Sequence, residues 1–291
     1  MQRQFEKIVF HLLKITKKLG GKSGNIVLAG GAAMNCVFNG LLNKSKIYNN
    51  NYVPCYPDDL GVSIGGTYLL NETLSKKKRK IHQVRTAYYG PKFSEKEIFE
   101  TLKKYKLIFK KAKNLNKEIA NQISNGKLIG WFQDKMEFGH RALGNRSILA
   151  DPRNKKMKDI INKAVKYRES FRPFAPAVLE EHSHKIFEIK KGLNVDFMEK
   201  AVKVKNNWHR RIPAVTHVDG TARIQTVSKK TNTKFYNLIN EFYKITSIPL
   251  LVNTSFNLNG EPIVCNPEDA IRTFYSCGLD ILVVGDYIVY K

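Results

Sequence analysis

Apolar positions Phe5, Ile8, Val9, Leu12, Leu13, Ile15 and Leu19 recur at helical spacing and predict an amphipathic helix at the start of the chain. The short run Asn25–Ala29 then predicts a strand that breaks at Gly30-Gly31, with a helix over Ala32–Gly40 behind it. Tyr52–Pro54 reads as a second strand, and the small-residue stretch after Pro57-Asp58-Asp59 as another helix. Residues 1–75 therefore read as helix–strand–helix–strand–helix, one α/β layer. Residues 76–117 read as a basic connector followed by helices. Of these, Phe93–Leu107 opens with Ser94 and Glu97 in capping-box spacing, and Leu115 starts the next. Residues 118–291 form a second α/β unit. Its predicted strands are Leu128–Phe132, Pro249–Asn253, the alternating stretch after the Asp219-Gly220 turn, and a closing hairpin of Ile281–Val284 and Tyr287–Tyr290. Its predicted helices cover Met157–Val165 and Phe235–Tyr243 and start again at Pro267, while the basic, aperiodic residues 190–212 read as a mobile loop.

At 291 residues with 42% hydrophobic and 11% aromatic content, the chain has the composition of a globular protein. No apolar run approaches the ~20 residues needed to span a bilayer, and the N-terminal helix is too charged for a secretion signal. A cytoplasmic protein is the expectation. Cys36, Cys55, Cys265 and Cys277 are scattered with no CxxC pair, so buried thiols are expected rather than a disulfide framework or a zinc site. The formal charge of +25 is compatible with nucleic-acid binding. Its lysines, however, are spread along the whole chain, and the one dense run, Lys76–Lys80, reads as a solvated linker. Attraction of small anions is the favoured reading of the charge.

The densest candidate chemistry lies in Gly130–Lys158, where Gly139 and Gly144 bracket Arg141 and are followed by Asn145, Arg146 and Ser147. Glycines let backbone N–H groups approach an anion, and arginines add planar forks that match phosphate or carboxylate oxygens. An ordinary loop with solvated arginines is the competing reading. Arg168 and Arg172, stiffened by Pro173 and Pro176, are either further anion clamps or a surface turn. The polar stretch Asn253–Pro262 directly follows an apolar strand, the usual placement of a ligand loop, although local turn bonding would explain it too. Gly30-Gly31 suits either a phosphate at a helix N-terminus or a plain tight turn. Asp58-Asp59 can hold a metal or cap the following helix. His182 and His184 read as surface residues.

Several of these stretches, in this order, resemble the carbamoyltransferase family that includes nodulation-factor and antibiotic O-carbamoyltransferases. They are LAGGAAMNCVFNG, PDDLGVSIGG, GWFQDKMEFGHRALGNRSILADPRN, YRESFRPFAPAVL, THVDGTARIQTV and NTSFNLNGEPIVC. The resemblance implies a partial actin/sugar-kinase-like (threonylcarbamoyl-transferase-like) subdomain followed by a YrdC-like α/β domain. It implies ATP-dependent formation of carbamoyl-adenylate from carbamoyl phosphate, and transfer of the carbamoyl group to a hydroxyl of a small-molecule acceptor, assisted by iron(II) or another divalent metal. By motif, Arg141, Asn145, Arg146 and Ser147 fall in the carbamoyl-phosphate/adenylate pocket, with Arg168, Arg172 and Arg223 as further clamps. Asn253, Ser255 and Asn257 match positions that read the carbamoyl group or adenine; Gly30, Gly31 and Asn35 match the nucleotide-side loop. Asp59 matches one metal-ligand position, whereas the family's HxxxH pair is absent. The resemblance thus implies a chain lacking the first half of the transferase domain and completed by a separately encoded N-terminal half. The alternatives are a basic RNA- or tRNA-associated module related to threonylcarbamoylation, and a catalytically inactive remnant.

Overall fold

The computed structural model describes residues 1–20, 23–75 and 86–291. The basic run Lys76–Lys80 lies outside them. The chain divides into two compact units, Met1–Val84 with Glu199–Ala201, and Arg85–Met198 with Val202–Lys291.

The first unit follows the predicted order. Helix α1 (Gln2–Leu19) precedes β1 (Asn25–Val27), a 3-10 turn (Gly31–Met34), α2 (Cys36–Ser45), β2 (Asn50–Tyr52) and α3 (Leu60–Leu74). Strands β1 and β2 pair in parallel, Asn25 opposite Asn50. Leu13, Phe38, Leu42 and Tyr48 make a small core. The expected helix over Ala32–Gly40 starts late because Asn35 interrupts it: its side chain accepts from the Phe38 N–H and caps α2. None of the 15 residues of α3 is buried, although Val62, Leu69, Leu70 and Leu74 are apolar.

The second unit begins with α4 (Glu95–Lys104), whose Ser94–Glu97 capping box forms as predicted. It continues through β3 (Phe109–Lys111), α5 (Leu115–Ser124), β4 (Ile129–Phe132), β5 (Arg146–Ala150) and α6 (Met157–Ile161), which widens into a π-helical turn (Asn162–Lys166). Next come β6 (Ala175–Leu179), α7 (Ser183–Ile186), β7 (Ala201–Lys203), α8 (Asn206–His209), β8 (Thr221–Arg223) and β9 (Gln225–Val227). Finally, α9 (Thr233–Thr246), β10 (Leu250–Ser255), α10 (Pro267–Tyr275) and the hairpin β11 (Ile281–Val284) and β12 (Tyr287–Tyr290) complete it.

Eight strands form one mixed sheet in the order β3-β12-β11-β4-β5-β10-β6-β9. Pairing is antiparallel except at β11/β4 and β6/β9. Helix α9 packs on β6 and β10, α10 packs on β4 and β11, and α5 packs on α9. Every residue of β4, β5, β6 and β11 is buried, which explains the unbroken apolar runs of β4, β6 and β11.

Three expectations need correction. The helices expected over residues 93–117 do not lie outside the second unit: α4 and β3 belong to it, and β3 forms a sheet edge against β12. Residues 190–212 are not a mobile loop, since Val195, Val202, Val204, Trp208 and Ile212 are buried in the main core. His182 is half-buried, with its ring 4.7 Å from that of Tyr243. Of the four thiols, Cys55 and Cys277 are buried and the other two half-buried. No helix among the described residues is long and apolar enough to cross a membrane.

Candidate functional site

Strand directions bring the C-terminal ends of β4 and β10 and the N-terminal ends of β5 and β6 to one edge of the large sheet. Most candidate residues of the second unit lie there. At the end of β10, the Nζ of Lys166 donates to the Ser255 carbonyl (2.6 Å) and hydroxyl (3.2 Å), and to the Asn257 carbonyl (3.0 Å) and Oδ1 (2.6 Å). The Ser255 hydroxyl also donates to Asn257 Oδ1 at 2.7 Å. Lys166 is only 4% exposed. Burial lowers its pKa to about 7, with the nearby Arg168 charge adding to the shift, against the pull of four oxygens that favour the ammonium.

Arg168 joins this cluster through Asn162. Its Nε donates to Asn162 Oδ1 at 2.8 Å, and the Asn162 amide donates to the Arg172 carbonyl at 3.2 Å. Burial and the Arg172 charge both lower the Arg168 pKa. The Arg172 guanidinium lies 2.9 Å from Glu169 and is half-exposed. The Arg168 charge thus acts on Lys166 and that of Arg172 on Arg168, with Glu169 against Arg172, an arrangement that an anion of two or more charges would relieve. Lys166 escaped the sequence reading because a lysine at the end of a predicted helix ordinarily faces water. The π-helical turn, closed by Tyr167 at φ 44°, holds it inside instead.

The glycine-bracketed turn is filled by one of the protein's own carboxyl groups. Oε1 of buried Glu137 accepts the N–H groups of Leu143 (2.6 Å), Asn145 (2.8 Å) and Arg146 (3.3 Å). The Gly144 N–H donates to the Ser147 hydroxyl. The carbonyls are equally engaged: Ala142 with Asn253, Leu143 with Tyr88 and Gln225, Gly144 with Trp131, and Asn145 with the Gln133 N–H. No backbone donor from 143 to 146 remains for a ligand.

Several assignments change accordingly. Arg146 is not a ligand clamp. It is fully buried at the start of β5, with its guanidinium carbon 3.6 Å from the Phe132 ring centroid and its NH1 and NH2 groups on the carbonyls of Gln133, Asp134, Asn145, Pro91 and Cys265. Burial lowers its pKa to about 10, partly opposed by Glu137. Asn145, Ser147 and Asn253 brace the turn rather than face a ligand; Asn145 spends its amide on Lys135 O and its carbonyl on Asn232. Arg141 is half-buried on this loop, next to Ala142, whose carbonyl is tied to β10. Arg223 is half-buried in β8 and contributes to the lowered pKa of His217, after burial of that ring.

In the first unit, a groove of about 370 Å³ is lined by Gly30, Tyr56, Asp58, Asp59, Gly65 and Tyr68, among others. Gly30 adopts φ 87°, ψ 162°, a conformation open essentially to glycine alone, and donates to the Pro57 carbonyl. Gly31 leaves open space where a side chain would stand. Asn35 is occupied by its cap and by Gln2, so it does not read a nucleotide. Asp59 is exposed and starts α3 without a side-chain cap bond. Among the described residues no three of His, Cys, Asp and Glu converge, so Asp59 does not fit an iron(II) or other divalent-metal centre.

Residues 120–291 match the model of the carbamoyltransferase C-terminus, and residues 1–68 that of the carbamoyltransferase N-terminus. The chain belongs to the carbamoyltransferase family. It is 42% identical to nodulation protein NolO of Bradyrhizobium diazoefficiens, covering all of this chain and 54% of that protein. It is 41% identical to nodulation protein NolNO of Sinorhizobium fredii, covering 100% of this chain and 43% of that one. Nodulation protein U of Rhizobium fredii is 32% identical over 81% of this chain and 38% of its own length. The chain spans about half the length of these curated relatives. Because the N-terminus model matches residues 1–68, part of that family region lies in this chain, and a separately encoded N-terminal half finds no support in the comparisons. Full-length HypF in its phosphate- and nucleotide-bound form aligns over 63% of this chain at 14% identity and a TM-score of 0.39, too loose a likeness to argue from.

Proposed function

We propose that the second unit is a YrdC-like domain that activates carbamoyl phosphate with ATP, and that the protein takes part in O-carbamoylation of a small hydroxyl-bearing acceptor. The reading is carried by the buried ammonium of Lys166, fixed by Ser255 and Asn257 beside Arg168 and Arg172. These residues fit a ligand with several anionic oxygens, and ATP and carbamoyl phosphate both supply them.

Carbamoyl phosphate is hydrolysed to carbamate and phosphate. A carbamate oxygen then attacks the α-phosphorus of ATP, its bond to the bridging oxygen breaks, and pyrophosphate leaves with the electron pair. The acceptor hydroxyl finally attacks the carbamoyl carbon and releases AMP, giving up its proton. Arg168 and Arg172 meet the charge that gathers on phosphate and pyrophosphate, Lys166 stands behind them as a buried charge that holds Ser255 and Asn257 in place, and Arg141 is the further cation offered by the neighbouring loop. Gly30 and Gly31 suit close approach of a nucleotide to the first unit's groove.

Incubation of the chain with ATP, carbamoyl phosphate and labelled pyrophosphate tests the activation step. Label is expected to enter ATP only when carbamoyl phosphate is present, and Lys166→Met is expected to lower the rate by about 100-fold or more. A folded wild-type protein that exchanges no label would overturn the reading.

A further inference from the structure

The Ala142–Arg146 turn stands between two features of the proposed site. Arg141 precedes it, and Ser147, which follows it, pairs in register with Ser255, the residue that Lys166 grips. Asn253, two residues before Ser255 on the same strand, ties the Ala142 carbonyl to β10. The turn is thus built into the wall against which the cationic cluster sits. Three of its four backbone N–H groups from 143 to 146 go to one side chain. Glu137 brings three N–H groups onto a single oxygen and is 4% exposed; burial pushes its carboxyl up, while those N–H groups and Arg146 pull it down.

Resting on the activation step proposed above, we infer that Glu137 is a positioning residue. Its carboxylate fills the backbone nest of the turn and so fixes the placement of Arg141 and of the Ser147–Ser255 pair beside Lys166. Two consequences follow from the geometry. The ligand's oxygens are met by side chains and not by the turn's N–H groups, which have their anion already. Removing the carboxylate, moreover, leaves three buried donors without an acceptor, so the turn must rearrange even though no ligand contact has been deleted.

The experiment uses the full chain with Glu137→Ala, Glu137→Gln and Glu137→Asp, read by amide hydrogen exchange and by labelled-pyrophosphate exchange. In Glu137→Ala, the amides of Leu143, Asn145 and Arg146 are expected to lose protection roughly tenfold or more, while those of β11 keep theirs. The saturated exchange rate is expected to fall about 100-fold, as misplacement of a catalytic group by an ångström does, and added formate is expected to restore part of it by occupying the vacated nest. Glu137→Gln, which keeps one acceptor oxygen, should lie between wild type and alanine. Wild-type amide protection in the alanine variant, or a wild-type rate in a variant whose protection has fallen, would overturn the inference. If the alanine variant does not fold, the same two readings on the glutamine and aspartate variants decide it. A wild-type protein without exchange activity would remove the activation step alone, and the amide protection then decides whether Glu137 holds the turn.

Discussion

Lys166 is a single side chain at which burial and hydrogen bonding compete. Four oxygens favour its ammonium, yet the loss of water and the Arg168 charge bring its pKa from 10.5 to about 7. A bound polyanion stabilises the charged form. Below pH 7 the ammonium is already present and binding needs no proton. Above pH 7 a proton must be taken up on binding, so pyrophosphate affinity is expected to weaken by up to about tenfold per pH unit. Calorimetric titration with pyrophosphate between about pH 6 and pH 9, in buffers of different ionisation heat, checks both the slope and the proton uptake. The same shift sets the sign of its effect on stability. The unfolded chain holds more protons between about 7 and 10.5, so stability due to this group rises with pH across that window. Arg146 is the contrasting case. It is fully buried, but its NH1 and NH2 groups are spent on carbonyls, and those bonds tie loops together.

At the scale of elements, the turn from Gly139 to Ser147 matters most. Its composition suggested an anion pocket for a ligand, but the N–H groups go to Glu137, because a sequence shows where backbone donors are available and not which side chain will reach them. Gly144 makes the turn's tolerance measurable. It sits at φ 107°, and a Cβ there would overlap the Phe235 ring. Gly144→Ala therefore combines backbone strain with a clash in the core and is expected to cost roughly 3 kcal/mol or more, read from urea denaturation. Other elements were legible because their local rules were sufficient. The Ser94–Glu97 box starts α4, and two short apolar runs joined by Gly285-Asp286 form the hairpin of β11 and β12. Strand β3 was missed because Phe-Lys-Lys has no apolar pattern; only its partner β12 makes it a strand.

For the whole molecule, the excess of positive charge acts at a distance. A chain of +25 raises the local concentration of small anions near it, and salt screens that effect. The rate constant kcat/KM for carbamoyl phosphate in pyrophosphate exchange is therefore expected to fall several-fold between about 50 and 300 mM salt, with kcat little changed; kinetics at the two salt concentrations check it. Membership of the carbamoyltransferase family was also legible, because long motifs in a fixed order survive where single residues are ambiguous. So were the two α/β units, since periodicity and capping are local properties of the chain. Only the tertiary structure decided which polar residues are free to act. It folded Arg146, Asn145 and Asn253 into the protein's own hydrogen bonding, filled the glycine turn with Glu137, and drew Lys166 out of solvent. Those outcomes depend on contacts between residues as far apart as Lys166 and Asn257, where neighbours in space supply the dielectric and the partners that give a side chain its chemistry.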